Sequence, residues 1–446
     1  MNKQTHANQE LAIILSALLI YSLSFATKSN ALNLAALLLL MTQAALWVGR
    51  AKKQWPFFIY FFGIIFAAIS GFLVELKSIY MFEIMEHGKL TGAAARYISL
   101  MIIFLGVALI SFEIIKIRIH PPSFPAKLNK KITLIAFTTS ILPIIYLLYV
   151  VLEYGSPLLM GIDRFSYWTE FSSPYAGKVR YLAIPLSFII SLAEQNRQIS
   201  KKTSMTWMLS MAAALILNGE KLSGLIMLLF FYLIPKFELS EQKKINTALL
   251  AKASITAAIL LSVVLINYYA ILGDLSSAMD LFFARLALQG QMNYALTNLS
   301  TTDINHDIIK NLIGINSSDR ESGIHYLMYL IAPENIVNNR IDNGTTFTAP
   351  FPANILIFFH GFFAPLAVAA CSFLVSIPAA FMTASTRSSN FPLAIISMLV
   401  FYYSYGAILM GNIHKLFELK FLLAAVTVLA IGTRIITPTK TAQSNT

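Results

Sequence analysis

Residues 273–350 read GDLSSAMDLFFARLALQGQMNYALTNLSTTDINHDIIKNLIGINSSDRESGIHYLMYLIAPENIVNNRIDNGTTFTAP. This run of 78 residues carries eight acidic and four basic side chains and sits between two strongly apolar segments, so it lies outside any bilayer core. Its patterning predicts structure. From Ala278 to Leu296 the spacing predicts an amphipathic helix, with Met279, Phe282, Leu286 and Leu296 on one face and Arg285, Gln289 and Asn293 on another. A second helix is predicted over Ser322–Ala332, stopping at Pro333, with Glu321, His325 and Tyr329 in one stripe. The segment leaves through Asn343-Gly-Thr-Thr-Phe-Thr-Ala-Pro-Phe-Pro-Ala353. Its glycine and two prolines predict a broken return into the membrane, which exposes polar backbone only where it lines a cavity. Residues 273–350 are therefore a folded cap, and the rest of the chain is its scaffold.

The composition, 57% hydrophobic and 12% charged over 446 residues, is that of a polytopic membrane protein. Twelve spans are expected, at about 11–27, 31–48, 56–73, 97–115, 132–152, 179–194, 204–218, 222–235, 249–271, 352–382, 391–411 and 418–433. The seventh and eighth are short and separated only by Gly219-Glu220-Lys221. The first is read as a retained helix and not a removed signal peptide. With the amino terminus inside, one face receives 19 of the 33 basic residues, clustered at 50–53, 116–131, 197–202 and 236–252. Short basic loops stay cytoplasmic, so both termini are expected inside and the cap outside. That asymmetry accounts for the net charge of +12 without a nucleic-acid partner. The single cysteine, Cys371, excludes a disulfide framework within the chain.

The fold expected is all-α, with about 12 transmembrane helices and a large outer segment between helices 9 and 10. Residues 1–271 hold helices 1–9 and the outer loop 153–178. Residues 272–351 form the cap, 352–436 hold helices 10–12, and 437–446 are a disordered cytoplasmic tail. In loop 153–178, Tyr167 and Trp168 stand among Arg164 and Lys178, with Arg180 at the entry of the following helix. Flat rings beside fixed cations suit a sugar attached to phosphate, although interfacial aromatics also serve as membrane anchors. Glu220 and Lys221 form an ionisable pair near membrane depth, a functional signal by default that competes with a plain solvated turn. His360 stands alone on an apolar helix and ranks below His325. There is no HExxH, no CxxC, no aspartate cluster and no phosphate-binding GxxxxGK[ST] loop. Neither a metal nor any other cofactor is expected, and outer-face chemistry requires a substrate that is already activated. A lipid-linked diphosphate sugar meets that demand, because protein cations can meet the charge on its leaving group.

The many helices, the arginine-bearing outer segments, the Gly219-Glu220-Lys221 turn, the Arg285-Leu-Ala-Leu-Gln289-Gly290-Gln291 run and the Thr346-Phe-Thr-Ala-Pro-Phe-Pro352 return together resemble a bacterial O-antigen polymerase of the Wzy type. The resemblance covers most of the chain. It implies an inner-membrane glycosyltransferase of lipopolysaccharide biosynthesis, joining oligosaccharide repeat units carried on undecaprenyl diphosphate at the periplasmic face. It also implies a chain-length regulator and a flippase of the same pathway as partners, and functional arginines in two outer loops. By position these are Arg164 or Arg180, and Arg285, Arg320 or Arg340. The expected mechanism is metal-independent glycosyl transfer. Lys221, Arg164 and Arg285 hold the diphosphate, while His325, oriented by Glu321, deprotonates the acceptor; Glu153, Asp163 or Glu220 are alternative bases. Lys178, Arg180, Gln289, Arg320, Arg340, Tyr167 and Trp168 complete the expected substrate contacts. An O-antigen ligase has a similar architecture, and a lipid-oligosaccharide flippase or secondary transporter is the non-enzymatic alternative.

Overall fold

The computed structural model describes residues 3–49, 55–160, 162, 167–220, 222–239, 262, 265, 269, 273–299, 322–359 and 361–433. The expected ninth span at 249–271, apart from three scattered residues, and the tail after 436 lie outside them. The chain divides into two compact units. The first comprises Met1–Ile110, Glu241–Phe373 and Tyr405–Phe417; the second comprises Ser111–Ser240, Leu374–Ser404 and Glu418–Thr446.

The chain is predominantly helical. Its first long helices are α1 (Lys3–Ala26), α2 (Asn30–Gly49), α3 (Phe58–Lys77), α4 (Ala93–Arg118), α5 (Ala126–Tyr154), α6 (Ala176–Gln195), α7 (Lys201–Leu217) and α8 (Leu222–Leu239). The cap contributes α9 (Leu275–Ala287), α10 (Gln291–Asn298), α11 (Gly323–Ile331) and α12 (Glu334–Asp342). Four more follow: α13 (Ala353–Phe358), α14 (Ala364–Arg387), α15 (Phe391–Leu409) and α16 (Leu419–Thr433). Among the described residues seven helices, α1, α2, α4, α5, α6, α14 and α15, are long and apolar enough to cross a membrane. Leucines such as Leu15, Leu19, Leu142, Leu152 and Leu209 face outward. Soluble surfaces rarely display such patches, and this is the surface of a membrane protein. The doubtful spans are separate helices of 17 and 18 residues. At 1.5 Å per residue they measure roughly 26 and 27 Å, a little under the hydrocarbon thickness.

In the second unit, α5–α8 pack around Ile144, Leu147, Ala183, Ile190, Trp207, Met211 and Tyr232. Polar networks mark the helix ends. Glu194 takes hydrogen bonds from Lys236 Nζ (2.9 Å) and the Tyr232 hydroxyl (2.7 Å), and Arg387 pairs with buried Glu238 (2.8 Å).

The first unit differs from expectation at three points. The segment between α3 and α4 holds a small antiparallel hairpin, Tyr80–Met81 (β1) paired with Glu86–His87 (β2), which a purely helical reading omits. The single amphipathic helix expected over 278–296 is two, α9 and α10, with the break at Leu288–Gly290. The cause is a close approach to α3. A Cβ on Gly290 would lie 2.7 Å from the Ala67 carbonyl oxygen and 3.0 Å from the Gly71 nitrogen. The Ser70 hydroxyl, beside them, donates to the Ala287 carbonyl (2.9 Å). The stripe is therefore split: Arg285 and Gln289 are exposed, whereas Asn293 is buried, donating to Ala349 O (3.1 Å) and accepting from Ala353 N (3.2 Å). Asn293 fastens the returning chain. Finally, the expected span 352–382 is broken into α13 and α14 around residues 359–363. The helix expected over 322–332 is present as α11, and with α10, α12 and α13 it closes a core of Met292, Leu296, Leu327, Met328, Val337 and Phe347.

Candidate functional site

The amino-terminal end of α4 is built by other helices. Its first turn has no acidic residue of its own. Instead the Glu75 carboxylate, at the end of α3, accepts from Gly92 N (3.1 Å), Ala94 N (3.1 Å), Thr91 Oγ1 (3.0 Å) and Asn33 Nδ2 (2.7 Å). Asn33 Oδ1 accepts from Ala95 N (2.9 Å). Orphan N–H groups and the positive end of the helix dipole are thus satisfied by a carboxylate that is 3% exposed. The alanines at 93–95 leave room for this approach. The next residue is Arg96, whose Nη2 donates to Thr91 O (3.1 Å) and Nε to Gly92 O (3.4 Å), with the guanidinium 5.2 Å above the Phe25 ring. Its hydrogen bonds go to main-chain carbonyls, no carboxylate among the described residues lies within ion-pair distance of it, and the charge of Glu75 acts on it through space.

Arg96 lines a cavity of about 500 Å³ in the first unit. Lys28, His87 and Lys89 share the lining, with Glu86 as the opposing charge and Phe25, Tyr294 and Leu330 among its flat or apolar walls. Three stretches distant in sequence converge there: the α1–α2 turn, the hairpin segment and the cap. Tyr294 ties cap to hairpin, its hydroxyl accepting from Lys89 N (2.7 Å) and donating to Lys89 O (3.0 Å). Gly88 lets the hairpin lie on α3, since a Cβ there would sit 2.3 Å from the Val74 carbonyl oxygen. Volume, convergent cations and aromatic walls together are those of a small-ligand site.

None of Lys28, His87, Lys89 or Arg96 stands out by sequence periodicity. The available signal is the glycine-bracketed polar run His87-Gly-Lys-Leu-Thr-Gly92 before Ala93-Ala-Ala-Arg96, between two apolar spans.

The expected site residues are divided between the units. In the first, Arg340 forms an ion pair with Glu83 (2.9 Å), a hairpin carboxylate that also receives a hydrogen bond from Gln291 Nε2. Burial pushes the Glu83 carboxyl above the usual carboxylate range, and Arg340, Gln291 and Arg285 act against that push. Arg285 and Arg340 thus converge on a buried carboxylate that sequence reasoning did not single out. Half-buried His325 lies on α11 one turn before Tyr329, whose hydroxyl donates to Asn338 Oδ1 (2.5 Å). Its expected partner Glu321, together with Arg320 and His360, lies outside the described residues.

In the second unit the guanidinium of Arg180 stacks 3.4 Å from the Trp168 ring centre and 3.6 Å from Glu220. Trp168 Nε1 donates to Asn218 O (2.7 Å), and the Tyr167 hydroxyl donates to Gly155 O (2.7 Å). Trp168 of loop 153–178 thus meets residues 218–220, with Arg180 of α6 between its ring and the Glu220 carboxylate. Lys178 is exposed, 5.9 Å from the Tyr175 ring. Arg164 and Lys221 lie outside the described residues.

A family of unknown function (DUF6418) matches residues 317–425, about a quarter of the chain, from just before α11 into α16. No curated protein and no solved structure matches.

Proposed function

We propose that the protein is an O-antigen polymerase, a membrane glycosyltransferase that joins lipid-diphosphate-linked oligosaccharide units on the outer face of the bacterial inner membrane. The observation that carries this reading is the cavity at Arg96, in which cations and aromatic rings converge beneath a folded cap. If all twelve expected spans cross, the α1–α2 turn, the 78–92 segment and the cap fall on one side, and their convergence fits any even number of crossings between residues 93 and 272.

The reaction breaks the bond between the anomeric carbon and the diphosphate oxygen of the donor. It forms a glycosidic bond to a hydroxyl of the acceptor unit, whose proton passes to a base. Charge developing on the departing lipid diphosphate is met by guanidinium and ammonium groups. His325 remains the proposed base, and Arg285 a proposed substrate contact on the exposed face of α9.

In cells, Arg285→Lys is expected to reach the membrane at normal abundance, because conservative surface changes alter stability by no more than about 0.5 kcal/mol. Long polysaccharide ladders on gels are expected to shrink to core plus one repeat unit, since losing a well-placed donor slows an enzyme roughly a hundredfold. A full ladder removes Arg285 from the site. Core with no added unit points instead to ligation or lipid flipping.

A further inference from the structure

The Arg96 cavity reaches the end of α1, where Ser24 and Phe25 line it beside Lys28. Phe25, beneath the Arg96 guanidinium, is 51% exposed and packs edge-on against Tyr21 one turn earlier on α1. On its other side the chain break between α13 and α14 comes close: a Cβ on Gly361 would lie 3.0 Å from the Phe25 ring, and the Tyr21 hydroxyl donates to Gly361 O (2.5 Å). Beyond it, Phe362 and Phe363 face outward. One aromatic side chain therefore belongs to both a cationic recess and a lipid-facing apolar strip.

We propose that this cavity is the headgroup site of a membrane lipid whose head is a phosphate or diphosphate ester, gripped by Arg96 and flanked by Lys28 and Lys89, with its tail leaving past Phe25 towards the outward-facing Phe362 and Phe363. The assignment falls on none of the arginines expected from the outer loops. A guanidinium offers a planar fork that matches phosphate oxygens, and its fixed hydrogen bonds to Thr91 and Gly92 orient that fork before any ligand arrives. Lys28 and Lys89 are exposed and bring charge on flexible stems. Glu86, in the same lining, disfavours a second anion and leaves the net charge of the recess positive. The polymerase reading supplies only the glycan carried on that head, so the site can be tested without it.

The test uses full-length protein in lipid nanodiscs and three probes: polyprenyl diphosphate without a glycan, the neutral polyprenol of the same length, and inorganic pyrophosphate. Binding is measured by native mass spectrometry. Polyprenyl diphosphate is expected to bind at least tenfold more tightly than either control. Arg96→Gln is expected to weaken it at least tenfold, Arg96→Lys less, and Phe25→Ala several-fold, whereas Lys131→Gln on α5 leaves it unchanged. The double change Lys28→Gln/Lys89→Gln alters only exposed side chains; it is expected to weaken binding even if Arg96 variants unfold. Unaltered lipid binding in both Arg96→Gln and the double lysine variant overturns the proposal. Pyrophosphate binding as tightly as the lipid, with Phe25→Ala silent, makes the recess a free-anion site and overturns the lipid assignment. Lipid binding that follows these changes in a protein that never extends a glycan upholds the site and rejects the polymerase reading.

Discussion

Glu75→Ala is expected to destabilise the protein by about 3–5 kcal/mol, the range for leaving buried charged or polar partners uncompensated. The carboxylate is 3% exposed and serves four donors from α2, the 91–92 turn and the first turn of α4. Alanine removes every one of these acceptors at once. The loss falls on the turn that orients Arg96, so lipid-diphosphate binding is expected to collapse together with stability. Glu75→Gln keeps one acceptor oxygen and is expected to lose about half as much. Unfolding of the purified protein in mixed micelles measures both. An unaltered transition in Glu75→Ala would show that α4 does not depend on this cap.

Arg340→Ala is the second large effect, and its dependence on pH identifies the cause. Glu83 is buried, and burial holds its carboxyl above the ordinary range despite Arg340, Gln291 and Arg285. A carboxyl whose folded pKa is raised binds its proton more tightly folded than unfolded. Stability is then fullest below the ordinary carboxylate pKa and declines as pH rises through the folded value. Removing Arg340 takes away the nearest positive charge, raises the folded value further and deepens the decline. The Arg340 side chain is 41% exposed, so solvent already screens part of the pair. The expected cost is about 2 kcal/mol at pH 7.5, below the usual range for a fully buried pair. It shrinks as the pH is lowered, because Glu83 takes up its proton and then needs no counter-charge. Glu83→Gln is expected to restore most of the loss in Arg340→Ala. A double variant as unstable as the single one, or a loss that ignores pH, would mean that Arg340 acts through packing and not through Glu83.

Much of the scaffold is legible in the sequence because long apolar runs have one common solution in a bilayer. The run 132–152 lies inside α5 and 31–48 inside α2, and Pro333 closes α11 where expected. The segmentation of the cap is not legible. A glycine inside a helical pattern is ordinarily tolerated at modest cost, and only the contact of Gly290 with the α3 backbone turns it into a break. The hairpin is invisible for a simpler reason, since two-residue strands offer no period to detect. The recess was missed because Lys28 and Arg96 sit at span ends, where a basic residue is read first as a topological marker. Its chemistry appears only when the α1–α2 turn, the hairpin and α10 are brought together. Conversely, the aromatic loop of the second unit is legible from composition, but not the pairing of Arg180 with Glu220, which depends on how α6 meets residues 218–220.

The central claim is that this chain itself lengthens glycans, and the most direct measurement is turnover by the purified full-length protein. It would be given one synthetic substrate, a single repeat unit on polyprenyl diphosphate, in nanodiscs without other proteins. The expected result is a series of lipid-linked products, each longer by a whole repeat unit, with one free polyprenyl diphosphate released for every glycosidic bond formed. Substrate that binds but returns unextended, with no diphosphate lipid released, would contradict it.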